Sequence, residues 1–437
     1  MKKSFISLLA VSALIVAGCG GKQSTSTSTA PVITEKVSQG VTDTEILVGN
    51  TATVGGAWAI VGAPFNAGIK AYFEDVNEAG GIDGRTITLT NRDDGFDGAV
   101  GLANTEKLVE TDKVFALVGH FGTPTVSATL EYIKEVGVPM VYAATGVNAL
   151  YTQAEVGSPV MPVQPIYYTE GRLLLSRVLA ETDLFGSVKK VGVLYSDAND
   201  GTSIKAGIEY QASQLGLTSS QIVYAVGNVS TGDYSTPVQS LKAAGCDAII
   251  IAANQAPFLA IYTEMNTQNL NVPVITSYVN ADATAVPASS YNAARPIYVN
   301  AWVDIFSAKG QAGAGEFATS ISNASFLSDA EKAAYAVNSY AIAGYIAAHV
   351  FTTGVKAVAA KDGNEGVLNW KNYIAAMEGY GNIDIPMGGT VNFAEGHRWG
   401  IDSMAVLNYT PATEAAIATF GQVKPLEDIA TVVAKIK

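Results

Sequence analysis

The feature that most constrains this chain is a repeated alternation of short apolar runs with longer amphipathic stretches, beginning at Ile46. ILVGNTAT (46–53) reads as a strand, PFNAGIKAYFEDVNEAGG (64–81) as a helix closed by glycines, and RTITLTNRDD (85–94) as a strand again. A helix over 100–111, the strand VFALVG, a helix over 124–135 and the strand VPMVYA continue the rhythm. A second cycle opens at KKVGVLYS and runs through helices over 201–215, 234–244 and 256–268 and the strands QIVYAV, DAIIIAAN and PVITSY. Strands that are apolar throughout imply parallel sheets covered on both faces. The expected fold is therefore α/β with two Rossmann-like lobes. Residues 303–380 read mainly as helices and the chain returns to strands from Pro386, while no period of about 20 to 50 residues points to a solenoid.

One junction carries the first chemical hint. In FALVGHFGTPTVSATL (115–130) a buried strand over Phe115 to Val118 breaks at glycine and resumes as a helix, with Pro124 suited to a first turn and Thr123 placed as a capping hydroxyl. Such a turn offers free amides and a hydroxyl to a small anion.

Acidic residues outnumber basic ones by 39 to 26 with no Lys/Arg cluster, which leaves no nucleic-acid footprint. The start, MKKSFISLLAVSALIVAG, has a basic end and an apolar run shorter than the roughly 20 residues that span a bilayer, the layout of a secretory leader at 1–18. LIVAGC (14–19) resembles a bacterial lipobox, which implies acylation of Cys19. The Gly/Ser/Thr tract that follows predicts a flexible tether over 19–40. Cys246, in AAGCDAIII, has no second cysteine left to pair with and reads as a small buried hydrophobe.

Enzyme chemistry finds little support. Three scattered histidines, His120, His349 and His397, make no metal-ligand spacing, and neither a GxSxG elbow nor a phosphate loop is present. The glycines of GQAGAGEF (310–317) read as a loop. No cofactor and no metal are expected. What remains are loops at the carboxyl ends of strands, where open α/β sheets place ligands. GGAWAIVG (55–62) offers Trp58 and Val61 as walls; GHFGTPT offers Phe121, Gly122 and Thr123; YAATGVNAL offers Ala143, Ala144 and Thr145. From the second cycle come Tyr167 and Tyr168, Gln255 and Tyr278. Rings and amides of this kind could cover a small ligand and meet an ammonium.

GIKAYFEDVNEAGGIDGRTITL, LVGHFGTPT with VPMVYAATG, VGVLYSDANDG and MGGTVNFAEGHR together resemble the solute-binding proteins of branched-chain amino acid ABC transporters, over about residues 46–409. The resemblance implies a type I periplasmic-binding fold, a carboxylate grip by the loops of Thr123 and Ala143 to Thr145, and an aromatic contact from Tyr167 or Tyr168. At the ammonium end, where the family uses a tyrosine and an acid, this chain carries Gln255 and Tyr278, so Asp282 or ring faces take over that task. The Trp58 loop hints at an aromatic ligand, an amide or a small carboxylate instead of a plain aliphatic amino acid.

The expected molecule is a monomeric, lipid-anchored receptor on the outer face of a bacterial membrane or in the periplasm. It would close two lobes, 41–165 with 303–381 and 166–302 with 382–437, over a solute, with crossings near 165, 302 and 382, and present it to ABC permease subunits. A sensor feeding a signalling receptor is the alternative, and a secreted α/β hydrolase ranks behind both.

Overall fold

Two parallel sheets organise the structure, a computed structural model that describes residues 37–436 apart from 284, 285, 287 and 415. The leader, Cys19 and most of the tether lie outside the described residues. Residues 38–40, counted above with the tether, belong to the body: Gln39 donates to the carbonyls of Val109 and Val114, and the Ser38 hydroxyl accepts from the Trp370 amide.

In chain order the first half runs β1 (Glu45–Thr51), α1 (Ala59–Glu78), β2 (Thr86–Arg92), α2 (Gly98–Glu110), β3 (Ala116–Phe121), α3 (Thr123–Val136), β4 (Met140–Ala144) and β5 (Val160–Met161). Its strands form one parallel sheet in the order β2-β1-β3-β4-β5. The second half continues with α4 (Tyr167–Ala180), α5 (Thr182–Phe185), β6 (Val191–Ser196), α6 (Asn199–Gln214), β7 (Ile222–Gly227), α7 (Ser235–Ala244), β8 (Ala248–Ala252), α8 (Gln255–Thr267), β9 (Val274–Thr276) and β10 (Ile297–Ala301). Then come α9 (Ala308–Asn323), α10 (Asp329–Tyr335), α11 (Ser339–Ala359), α12 (Trp370–Gly379), β11 (Asn382–Asp384), β12 (Thr390–Asn392), β13 (Ser403–Thr410), β14 (Thr419–Asp428) and α13 (Ile429–Val433). The second sheet, β14-β13-β10-β9-β8-β6-β7, is parallel from β7 to β10 and ends in two antiparallel strands. β14 alternates half-buried and exposed positions, the signature of a strand with one face in water.

Three local readings change. GQAGAGEF is helical within α9: Ser307 caps it by accepting from the Gly310 amide, and Gly310 and Gly313 are small because a Cβ there would crowd the carbonyls of Asp304 and Pro386. Helix α1 begins five residues before Pro64, which sits inside it. A proline there withholds its N–H from the Ile60 carbonyl, and Ile60 is exposed, so water can serve that oxygen. Strand β3 extends through His120, which is fully buried in the strand and not in the loop, with Gly119 absorbing a positive φ of 70°.

Helix α11 is long and apolar enough to cross a membrane, yet it is mostly buried in the core, packed against α1 and beside β3 and β4. Cys246 is buried among Val238, Leu241 and Ile249, and burial pushes its thiol up to about 11.

Candidate functional site

The carboxyl ends of β3, β4, β8, β9 and β10 converge on one cavity of about 150 Å³. Phe121 ends β3 and Ala144 ends β4; from the other sheet, Asn254 and Gln255 follow β8, Tyr278 follows β9 and Trp302 follows β10. The amino ends of three helices complete the wall: Trp58, Val61 and Phe65 at α1, Tyr167 at α4, Ser339, Tyr340 and Ala343 at α11. This is the crevice in which open α/β sheets bind ligands.

Of the residues expected from sequence, Trp58, Val61, Phe121, Gly122, Thr123, Ala144, Tyr167, Gln255, Tyr278 and Asp282 line this cavity. Ala143 does not, because its side chain packs into the apolar cluster of Leu117, Val126 and Met140. Tyr168 turns away and stacks at 6.1 Å on Tyr151, beside Tyr210. Thr145 is buried just behind the wall and reaches the cavity through Thr123, hydroxyl to hydroxyl at 2.7 Å. The expected capping role of Thr123 is a correction: the N-cap of α3 is Gly122, at φ 96°, so the Thr123 hydroxyl does no capping. It is released toward Thr145 and Tyr167, whose phenol both threonines reach. Three hydroxyls thus gather beside the first-turn amides of α3, a set able to donate to a carboxylate.

The adjoining wall, where Tyr278 stacks on Tyr167 at 6.0 Å, is tied together by amides. Tyr278 donates its hydroxyl to the Pro165 carbonyl at 2.8 Å and accepts from Gln164 at 3.1 Å, while Gln164 accepts from Tyr142. Gly146 leaves the room for this, since a Cβ there would lie 2.7 Å from both the Tyr278 hydroxyl and the Tyr167 ring. Gln255 donates to the Tyr340 hydroxyl at 2.6 Å, joining α8 of the second half to α11, which packs on the first.

Behind the wall lies a buried acidic layer. Glu170 accepts from the Ser277 hydroxyl and the Tyr278 amide, both at 2.7 Å, yet burial pushes its carboxyl up to about 7. Asp200 accepts from the Asn254 amide and is also pushed up by burial. Asp94 accepts from the hydroxyls of Thr51, Thr53 and Thr125 and from the Phe96 amide. Among the described residues no group of His, Cys, Asp and Glu is placed to hold a metal ion.

Residues 45–414 match the periplasmic binding protein family. The chain belongs to that family. Its solved neighbours include a fatty acid ABC transporter substrate-binding protein from Thermomonospora curvata, at TM-score 0.71 and 20% identity over 91% of this chain and 96% of that one. A branched-chain amino acid ABC transporter protein from Thermus thermophilus with bound valine gives TM-score 0.70 at 16% identity over 90% and 98%. At such identities the likeness shows the fold. Among curated relatives, an amino acid binding protein of Pseudomonas aeruginosa is 23% identical over 266 residues, 60% of this chain and 67% of the relative. A Leu/Ile/Val-binding protein homolog of Brucella suis is 25% identical over 233 residues, 53% and 60%. The match spans 60 to 67% of the length of these two relatives.

The cavity wall of this periplasmic binding protein also includes residues that sequence reasoning missed, among them Phe65, Phe96, Gln164, Asn254, Trp302 and Tyr340. Phe96 follows β2 in Asp93-Asp94-Gly95, so the rule that selected the other strand ends covers it too. Nothing in the helical run around Tyr340 marks it as facing a ligand.

Proposed function

We propose that the chain is the extracytoplasmic solute-binding lipoprotein of an ABC importer, taking an amino acid or a related small carboxylate or amide between two closing lobes. The lobes are 41–165 with 303–381 and 166–302 with 382–437, the anchor is an acylated Cys19, and permease subunits are the partners. The observation that carries this reading is the cavity between the carboxyl ends of two sheets, hydroxyl-rich on one side and bridged by Gln255 and Tyr340. A ligand drives closure only by touching both lobes, and a wall drawn from both sheets meets that need. The family is one of binding proteins, which favours capture over turnover.

A thermal-shift screen against amino acids, amides and small carboxylates tests it, because a ligand at a hundredfold its dissociation constant adds about 2.7 kcal/mol. Thr123→Val should abolish the shift for carboxylate ligands while leaving the unliganded melting temperature in place. An unchanged affinity in that variant would remove the hydroxyl grip from the reading. Labelling with a radioactive fatty acid should mark the wild type and not Cys19→Ala.

A further inference from the structure

Phe96 is an aromatic residue held in a backbone conformation that such residues avoid. Its φ is 66°, in the left-handed region, where a non-glycine side chain is strained and persists only if its surroundings hold it there. They do: its amide donates at 2.9 Å to Asp94, and that carboxylate is fixed by three threonine hydroxyls. The ring lies against Gly122, where a Cβ would come within 2.7 Å of it, and stacks on Trp58 at 4.4 Å with 20° between the planes. Both rings line the cavity, and Trp58 remains 36% exposed, a large apolar surface that a ligand can cover. Phe65, Phe121, Trp302 and Tyr340 line the same cavity. Valines and alanines supply the aliphatic part of the wall, with no leucine, isoleucine or methionine on it among the described residues. A slot walled by flat rings fits a flat ring better than a branched aliphatic group.

Charge narrows the rest of the ligand. Among the described residues no lysine, arginine or histidine lines the cavity, whereas Asp282 does, and Glu170 and Asp200 lie behind it. An anion enclosed there finds hydroxyls and amides but no cationic side chain, and one carboxylate, Asp282, on the wall, so a carboxylate ligand that brings its own cation is favoured.

Resting on the solute-binding reading above, we infer that the ligand is an aromatic α-amino acid, that Trp58 and Phe96 select its ring, and that Asp282 meets its ammonium group. Calorimetric titration of the full chain with L-phenylalanine, L-tryptophan, L-leucine and 3-phenylpropanoate is the test. One of the aromatic amino acids should bind at least about tenfold tighter than L-leucine and 3-phenylpropanoate, and Trp58→Leu or Phe96→Leu should remove about that factor for the aromatic ligand alone. Leucine binding as tightly, or both variants leaving the preference intact, would overturn the aromatic selection. Equal binding of 3-phenylpropanoate would overturn the zwitterion. If the broad solute screen finds a ligand outside the aromatic amino acids, this inference falls and solute binding stands. If it finds none at all, both fall.

Discussion

Glu170 and His120 make opposite demands on acidity from two buried positions. Burial lifts the Glu170 carboxyl from 4.5 to about 7, so between those values the native state keeps a proton that the unfolded chain has lost. Stability from Glu170 therefore declines as pH rises through that window. Burial lowers His120 from 6.5 to about 4, so there the unfolded chain takes up a proton the native state refuses, and stability declines as pH falls. Each slope amounts to on the order of 3 kcal/mol, and from 4.5 to 6.5 they offset one another. Glu170→Gln should unmask the histidine: relative to wild type, its melting temperature falls as pH is lowered from 6.5 to 4.5. His120→Gln should show the reverse trend. Melting curves across that range decide it, and two variants tracking the wild type would show that neither group titrates as its burial demands. Neither behaviour was legible in the sequence, where His120 reads as a loop residue and not as part of a buried strand. Thr123, Gly122 and Phe121 were legible because a strand-to-helix turn has a local grammar of glycine, proline and hydroxyl. Phe96 follows β2 and the strand-end rule covers it, but what holds it in place was not legible, since that is a carboxylate fixed by threonines from two other segments, the end of β1 with the turn after it and the start of α3.

At the scale of elements, two pairs of helices set where the wall stands. In the first half α1 crosses α11 so closely that a Cβ at Gly68 would overlap the Ala341 carbonyl, and one at Gly344 would overlap the carbonyl of Phe65. In the second half α4 and α6 repeat the arrangement, Gly171 against Ile204 and Gly207 against Tyr168. Each contact is glycine to backbone, so no side chain can move aside. The consequence reaches the cavity, because Phe65, Tyr340 and Tyr167 sit on these helices within a turn or two of the crossings. Gly68→Ala and Gly207→Ala should each cost about 2 kcal/mol or more in chemical denaturation, against a gain of several tenths expected of glycine to alanine in an open helix. Ala substitution at Gly315, which meets nothing within 4 Å, is the control and should stabilise. If Gly68→Ala stabilises as well, α1 and α11 do not meet backbone to backbone in solution. The alternation of strands and helices was readable because burial on a sheet imposes its period locally. The glycines of 310–317 misled because a helix that packs closely and a flexible loop draw on the same small residue.

For the whole molecule the question is what the bridge between the halves contributes. Gln255 donates to Tyr340 across the cavity at 2.6 Å, and to the Val279 carbonyl on its own side at 3.2 Å. If the halves separate in the unliganded protein, water replaces the Tyr340 partner and the bond counts only in the closed state. Tyr340→Phe would then leave the unliganded melting temperature unchanged and weaken the closed complex by about 1 kcal/mol, the usual net worth of such a bond. That is roughly a fivefold loss of affinity, expected in the dissociation rate because encounter happens with the open form. Stopped-flow fluorescence of the bound form, with Trp58 and Trp302 on the wall as reporters, measures it directly. A variant that destabilises the unliganded protein and releases ligand at the wild-type rate would show that the bond holds the halves together at all times. The cavity would then admit its ligand by some motion other than parting at this bridge.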